Sequence, residues 1–338
     1  QSRRQRQMCI RDRLRLAGPE QPHLVRIAYA GGLTLFFVSV GILAPAWLAL
    51  VGELFPPRNQ ARVMGTTFVA NRIGALAGGA LAFRVLDAPW TTLDQWTLLF
   101  VVAGVAGVVG SLPFLWVVES SRPRPARPPL RHYLRKMVHT LVELPALRRF
   151  IVADLLGVTT MVTFFFYARA AIERDGFHEA MAGRWVMVGA LAQMAMSGLV
   201  AWQGGRIRPR YFLAAGLGAA ACGALSAAAG GGETAYALTA ASLGVWMSGR
   251  ISCHAPHVMR LAPGRDGTAP IGLATGFAMP ISGIAPFLAG PLIPVFGSAP
   301  LFWVVGALAA IYGPFLLFWV PGGSGRPAQL PTSPSIPD

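Results

Sequence analysis

The sequence predicts an all-α integral membrane protein, built as a multi-pass bundle of helices. Of its 338 residues, 54% are apolar and only 13% are charged. The apolar residues fall into nine long stretches, and the links between the stretches alternate in charge. Arginines gather in the links after Phe55, Glu119, Gln203 and Met259, whereas the links between these carry few. This alternation is typical of a chain that crosses a bilayer repeatedly and keeps its basic links in the cytoplasm.

Each stretch is long enough to cross the hydrocarbon core of a bilayer as a helix, which takes about 20 residues. Membrane strands would be about half as long and would alternate polar with apolar residues. The predicted helices cover residues 27–54, 62–86, 95–118, 149–171, 183–203, 211–229, 234–257, 270–296 and 299–320.

Small residues and prolines mark points of interest within these helices. The spacing of Gly74 and Gly78 predicts a close approach by a neighbouring helix. Pro280 and Pro286 predict a bend or break in the 270–296 helix, and broken helices often border transport cavities.

Composition narrows the classes of partner. A net charge of +15 could indicate nucleic-acid binding. The arginines, however, lie in links between apolar spans, so the expected partner is anionic membrane lipid and not nucleic acid. Lys136 is the only lysine, so this sequence carries no P-loop lysine and no built-in ATPase. Cys9, Cys222 and Cys253 are scattered, and no metal site or cofactor is expected.

Residues 119–148 form the longest link, a predicted cytoplasmic loop. Leu130, Leu134, Met137 and Leu141 recur at helical spacing with basic residues between them. This pattern predicts an amphipathic helix on the membrane surface; a flexible basic linker is the alternative. The tail 321–338 is rich in Pro, Gly and Ser, which predicts a disordered cytoplasmic segment.

An internal repeat indicates two related halves. The run 54–58, followed by Gly65, recurs 207 residues later as the run 261–265, followed by Gly272. A repeat that spans six helices is typical of a two-lobed secondary transporter. Chance similarity in a glycine-rich chain is the alternative.

Several segments resemble the major facilitator superfamily. Pro45-Ala46-Trp47 with the run 52–65 looks like the family's fourth helix, its cytoplasmic turn and the start of the fifth. The segment 148–168 looks like the seventh helix. The segment 204–210 is similar to the basic turn after the eighth helix, although it lacks the aspartate usual there. The resemblance implies a two-lobe architecture with about nine of twelve helices present.

The same resemblance divides the chain. Residues 27–118 would be the remainder of the N-terminal lobe, with three helices, and residues 149–320 the six-helix C-terminal lobe. The segment 1–26 would then begin outside the cell, where seven arginines are unexpected. We therefore expect an N-terminal truncation, with residues 1 to about 13 non-native because they look like translated sequencing adapter. The alternative is a genuine nine-helix protein with a basic arm.

Charged and polar residues inside the predicted spans are the candidates for solute binding, because a charge in hydrocarbon is costly unless it faces a cavity or a partner. Arg72, close to mid-bilayer, could hold an anionic or polar group, with Asn71 beside it; a structural arginine is the alternative. Asp154 could carry a proton or act as a gate. The favoured interpretation of Asp154 is an acid stabilised by the positive N-terminus of its helix.

Two further groups complete the candidates. The resemblance implies a cytoplasmic gate of salt bridges formed by Glu53, Arg58, Arg62 and Arg265, with an exposed ion pair as the alternative. Arg250, His254 and His257 share one helix face. The two histidines are candidates for a proton relay, although a solvated polar cap is the favoured interpretation of this group.

The leading functional hypothesis is a secondary active transporter that moves a small solute by alternating access and is coupled to protons. It would act as a monomer in the inner (plasma) membrane of a bacterium. An integral-membrane transferase and a non-catalytic membrane scaffold are the alternatives.

Overall fold

The computed structural model describes residues 47, 55, 57–90, 92–112, 116, 130–204, 206–262 and 268–320, and all regular structure in these ranges is helical. Seven helical stretches of this part of the chain are long and apolar enough to cross a membrane. The predicted all-α multi-pass class is therefore confirmed. The predicted first span, 27–54, lies outside the described residues except for Trp47, as do the segments 1–26 and 321–338.

The helices are numbered here in chain order. They are α1 (Pro57–Asp87), α2 (Thr92–Ser111), α3 (Leu130–Glu143), α4 (Pro145–Val158), α5 (Met161–Asp175), α6 (Met181–Gln203), α7 (Pro209–Ala229), α8 (Glu233–Leu261), α9 (Thr268–Ala289), α10 (Ile293–Phe296) and α11 (Ser298–Phe318), with a 3-10 turn at Gly290–Leu292 before α10.

The predicted 149–171 span is two helices, α4 and α5, joined at Thr159 and Thr160. The hydroxyl of Thr159 donates to the carbonyl of Leu156 at 2.6 Å, and that of Thr160 donates to the carbonyl of Gly157 at 2.7 Å. Threonine hydroxyls that bond back to the preceding turn compete with the helix and bend it. Together α4 and α5 cover 145–175, still one membrane-length segment.

The predicted break in the 270–296 span lies later than expected. Helix α9 continues through both Pro280 and Pro286. Regular α-helical structure stops only at the 3-10 turn Gly290–Leu292, whose second residue is also a proline. The backbone carbonyls that each proline leaves without a donor are therefore accommodated within the helix. The interruption lies near one end of the span.

Helix α8 is long enough to cross a bilayer but is not among the seven most apolar segments. It carries Glu233, Arg250, His254 and His257 together with several hydroxyl residues, which lower its mean hydropathy. Polar residues in such a helix face protein rather than lipid, and its buried polar side chains fit that rule.

Contacts divide the chain into two units. The described part of the first unit is α2 with the turn before it, where the Gln95 side-chain amide donates to the carbonyl of Ala88 at 2.7 Å. The second unit holds α1 and the helices from α3 onward. Its largest hydrophobic core includes Leu147, Phe150, Val200, Trp246 and Val258.

Helix α1 packs along α6 through glycines, and we call this contact the α1–α6 seam. A Cβ added to Gly65 would lie 2.8 Å from the carbonyl oxygen of Ser197, and one added to Gly183 would lie 2.6 Å from the backbone nitrogen of Phe83. Gly79 is similarly crowded by Met187. The close approach predicted at Gly74 and Gly78 is not seen among the described residues, since none of their atoms lies within 4 Å of a Cβ built there. Both of these glycines lie on the exposed side of α1.

Helix α3 occupies the amphipathic part of the 119–148 link. Thr140 is buried, and Met137 and Leu141 pack against the core beside α4 and α9. On the opposite side, Val138 and Val142 are exposed. Arg131 and Arg135 lie on that same exposed face, seven residues before each valine. An exposed face with arginines at one end and valines at the other is the pattern of a helix that lies in the membrane interface.

We expect Arg131→Gln/Arg135→Gln to weaken binding of anionic lipid. Each interfacial arginine contributes about 1 kcal/mol toward an anionic membrane surface, so the pair accounts for about 2 kcal/mol. The measurement is the amount of phosphatidylglycerol retained by the purified chain after delipidation. Arg169→Gln, an exposed arginine at the opposite end of the bundle, is the matched control. Equal retention in both variants would show that α3 does not hold lipid.

Candidate functional site

Asp154 lies in a buried ion pair that joins α4 to α8. One carboxylate oxygen accepts a hydrogen bond from Nη1 of Arg250, and the other lies 3.1 Å from Nε2 of His254. The Asp154 side chain is 8% exposed and that of Arg250 is 14% exposed. An acid, a guanidinium and an imidazole therefore share one site within the predicted membrane-spanning region.

Stabilisation of Asp154 by the helix N-terminus, the interpretation favoured by the sequence, does not fit this geometry. Helix α4 begins at Pro145 rather than near residue 149. Asp154 is therefore about 13 Å along the helix, beyond the first turn where the helix dipole acts. Its partners are the side chains of α8 instead.

The expected solvated cap of Arg250, His254 and His257 is also wrong. His254 is 7% exposed and His257 only 2%. The ring of Phe150 packs against both imidazoles, with centroid distances of 5.3 Å to His254 and 4.9 Å to His257. The Nε2 atom of His257 is buried without a hydrogen-bond partner. Among the described residues, His254 is therefore the histidine in contact with the acid, and no hydrogen bond extends the contact to His257.

A small cavity of about 20 Å³ adjoins the pair. It is lined by Asp154 and Arg250 together with apolar side chains that include Leu213, Leu217 and Trp246. A space of this size holds about one water molecule. The Asp154 carboxylate therefore borders a cavity that can hold one water molecule, in surroundings that are otherwise apolar.

Arg72 lies at the centre of the α1–α6 seam. It is seven residues from Gly65 and seven from Gly79, so the three share one face of α1. The residues three or four positions before and after Arg72, which lie on this face, are half-buried. Asn71 lies on the exposed side of the helix. The structure thus separates the two residues that the sequence grouped together.

The seam also fixes what faces Arg72. Gly65 meets Ser197 and Ala201, and Gly79 meets Gly183 and Met187. The two helices are therefore antiparallel, and the level of Arg72 on α6 is halfway between these contacts, at residues 190–194. Gln193 lies in this stretch and is 8% exposed, and none of the described residues forms a hydrogen bond with its buried Oε1 atom.

The predicted gate falls mostly outside the described residues. This is the case for Glu53, for Arg265 and for the side chain of Arg58. Arg62 is exposed, and its carbonyl accepts a hydrogen bond from the Thr66 hydroxyl at 3.0 Å. The gate remains a prediction.

A second polar cluster, which we call the Arg174 clasp, joins the ends of α5, α7 and α8 opposite the predicted cytoplasmic side. Arg174 donates to the carbonyls of Ala227 and Ala228 at 3.0 and 3.2 Å and to the Tyr236 hydroxyl at 2.6 Å. Tyr236 in turn donates to the Asp175 carboxylate at 2.6 Å. Arg174 thereby satisfies the carbonyls at the C-terminal end of α7, which have no partner within the helix.

The turn after α7 is built around this arginine. Gly230 has a φ of 67°, and a Cβ there would lie 2.5 Å from Nη2 of Arg174. A side chain at this position would be strained by the backbone and would displace the guanidinium. The sequence predicted no role for Arg174 or Asp175, which belong to one of the links that carry few arginines. The signals available were a charged pair at the end of α5 and, separately, the run of glycines 230–232 after α7.

A family model described as Major Facilitator Superfamily matches residues 27–245, about two thirds of the chain. The search of curated proteins gives no match. The matched range includes α1 to α7 and the first half of α8, and with them Arg72 and Asp154. The chain belongs to the Major Facilitator Superfamily and is a multi-pass membrane transporter.

Proposed function

We propose that this protein is a secondary active transporter that moves a small solute by alternating access, with Asp154 as its proton-coupling residue. It acts as a monomer in the inner (plasma) membrane. The observation that carries the proposal is the position of Asp154: buried in a membrane span, shared between Arg250 and His254, and next to a water-sized cavity.

The chemistry follows from the charges. With its proton removed, Asp154 carries a negative charge that is balanced by Arg250 and hydrogen-bonded to His254. A proton on the carboxylate cancels that charge and leaves the Arg250 cation without its counter-ion. Because an unbalanced charge in a low-dielectric interior is costly, protonation favours a different arrangement of α4 and α8. A group whose charge state selects between two arrangements is what coupling requires.

The helix break strengthens this interpretation. Thr159 and Thr160 follow Asp154 by little more than one turn, and the chain there has left regular α-helical geometry. Interrupted helices are common beside ion and solute sites in transporters. The break permits α4, with its carboxylate, to change direction relative to α5 without disturbing the rest of the span.

The transferase alternative is less well supported by this site. Asp154 and His254 could serve as an acid–base pair, but the adjoining cavity of about 20 Å³ is far smaller than the pockets of roughly 300 Å³ or more that hold small-molecule substrates. A transport measurement distinguishes the transporter from a non-catalytic membrane scaffold, which would move no solute.

The test is accumulation of solutes by proteoliposomes that contain the full chain. A defined mixture of organic acids, sugars and amino acids is supplied with and without an imposed pH gradient, and the lumen is analysed by mass spectrometry. We expect at least one solute to accumulate only with the gradient, and nigericin to abolish its accumulation. We expect Asp154→Asn to lose this accumulation while retaining solute counterflow, which requires no pH gradient.

Asp154→Glu, which keeps a protonatable group, serves as the conservative variant and should retain gradient-driven accumulation at a lower rate. All rates are normalised to monodisperse protein, because Asp154→Asn is also expected to lose stability. Equal gradient-driven accumulation by wild type and Asp154→Asn would remove Asp154 from the coupling step. If a sodium gradient drove solute accumulation in place of the pH gradient, proton coupling would be rejected.

A further inference from the structure

Arg72 has no counter-ion within the part of the chain that the structure describes, although one is expected at its depth. It is half-buried near mid-membrane on the face of α1 that packs against α6. Among the described residues, no acidic side chain pairs with it and no hydrogen bond fixes its guanidinium. A cation at this depth is costly and normally faces a partner or a cavity.

The Oε1 atom of Gln193, at the same level of the seam, has no hydrogen-bond partner in the described ranges. It lies one turn after Gly189, which faces Ala240 of α8, and one turn before Ser197, whose carbonyl faces Gly65. Gln193 is therefore on the edge of α6 that α1 and α8 share. An unsatisfied buried acceptor is rare in native structures and requires an explanation.

The next polar contact along this edge of α6 is satisfied. The hydroxyls of Ser197 and Ser248 are hydrogen-bonded at 2.7 Å, one turn toward the predicted cytoplasmic side. The close approach of the two glycine contacts also holds α1 and α6 at a fixed separation above and below Arg72. Arg72 and Gln193 therefore lie at one level between two tightly packed ends, although Nε1 of Trp185, about two turns away on α6, is also buried without a partner among the described residues.

We propose that Arg72 and Gln193 form the two halves of a solute site for a small organic anion: a carboxylate with a hydrogen-bond donor on the adjacent carbon. The guanidinium has only donors and matches a carboxylate, often through two parallel bonds. The amide oxygen is an acceptor and matches a hydroxyl or amino group on the solute. This inference rests on the proposed transport function and names the chemical class of its substrate.

Lactate is the simplest probe that carries both features. Propionate keeps the carboxylate but lacks the hydroxyl, and lactamide keeps the hydroxyl but lacks the charge. Binding to the purified full chain in detergent is measured by calorimetry and by the shift in thermal midpoint. We expect lactate to bind about 3- to 10-fold more tightly than propionate, the value of one hydrogen bond. We expect no detectable binding of lactamide.

Substitutions assign the two halves separately. Arg72→Gln should abolish binding of both acids, and Arg72→Lys should weaken it, because the charge remains while the two-bond geometry is lost. Gln193→Leu should leave propionate unchanged and reduce lactate affinity to the level of propionate. Arg84→Gln, an exposed arginine of the same helix, is the matched control and should change neither affinity.

Three outcomes would overturn the proposal. The first is equal lactate affinity in wild type and Arg72→Gln. The second is no lactate binding by the wild type. The third is that Arg72→Gln loses lactate binding and also has a lower thermal midpoint than the wild type in the absence of lactate. That result would identify a carboxylate of the chain itself as the partner of Arg72. Gln193→Leu keeps the test decisive if Arg72→Gln fails to fold. Because these assays use no pH gradient, their failure is distinguishable from a failure of proton coupling.

Discussion

Asp154→Leu is expected to lower the free energy of unfolding by about 3 kcal/mol or more, because it leaves Arg250 as an unpaired charge in a buried site. Both partners are largely shielded, at 8% and 14% side-chain exposure. The measurement is reversible unfolding of the purified chain in mixed micelles, followed by circular dichroism.

The double variant Asp154→Leu/Arg250→Met should recover most of this loss, since replacing a whole buried pair by apolar side chains is often neutral. Glu173→Gln is the matched control. Glu173 belongs to the same membrane segment, but its pair with Arg169 is about half exposed on both sides and should contribute less than about 1 kcal/mol. If the Asp154 and Glu173 variants lost equal stability, the buried pair would have no special role in the fold.

Gly183→Ala is expected to disrupt the α1–α6 seam, whereas Gly198→Ala on the same helix should be nearly neutral. The added methyl group at residue 183 would lie 2.6 Å from the backbone nitrogen of Phe83 and 2.8 Å from the carbonyl of Gly79. Backbone atoms cannot rotate away as a side chain can, so the helices have to move apart. Overpacking of this kind costs about 1–3 kcal/mol.

At Gly198 a Cβ meets no atom within 4 Å, so only the helix propensity changes, in favour of alanine by up to about 1 kcal/mol. The measurement is the free energy of unfolding of both variants under the conditions used for Asp154. A Gly183→Ala variant as stable as Gly198→Ala would mean that α1 and α6 do not approach each other as closely as the structure places them.

Sequence alone was sufficient for features that depend on long stretches of chain. The apolar span predicted at 183–203 is α6, Met181–Gln203, because a bilayer imposes one minimum length on every crossing helix. Bounds were less accurate where prolines permit an extra turn. Pro145 begins α4 before the predicted start, since a proline at the first helical position leaves no hydrogen bond unmade.

The site depends on pairings that a single sequence does not contain. Asp154 and Arg250 are 96 residues apart, and nothing near either residue identifies the other. The face shared by Arg250 and His254 was visible from their spacing, but whether that face met water or an acid depended on how α4 packs against α8. Gln193 gave no signal at all, because one polar residue in an apolar helix does not disturb its periodicity.

The glycines of α1 show the same limit of prediction from a single sequence. Gly65, Arg72 and Gly79 are spaced by seven residues, which places them on one side of α1. The pair Gly74 and Gly78 has an equally suggestive spacing, but no atom of the described residues lies within 4 Å of a Cβ built at either position. Spacing identifies which residues share a side of a helix; it does not identify the side on which the neighbour lies.

The Arg174 clasp has a mechanical consequence. It ties the ends of three helices together with hydrogen bonds to main-chain carbonyls, a phenol and a carboxylate, none of which involves Asp154. At the other end, α4 and α8 are held by a charge pair that one proton can cancel. On the proposed function, protonation of Asp154 would release α4 from α8 while the clasp keeps the far ends together, so α4 would move by bending at Thr159 and Thr160.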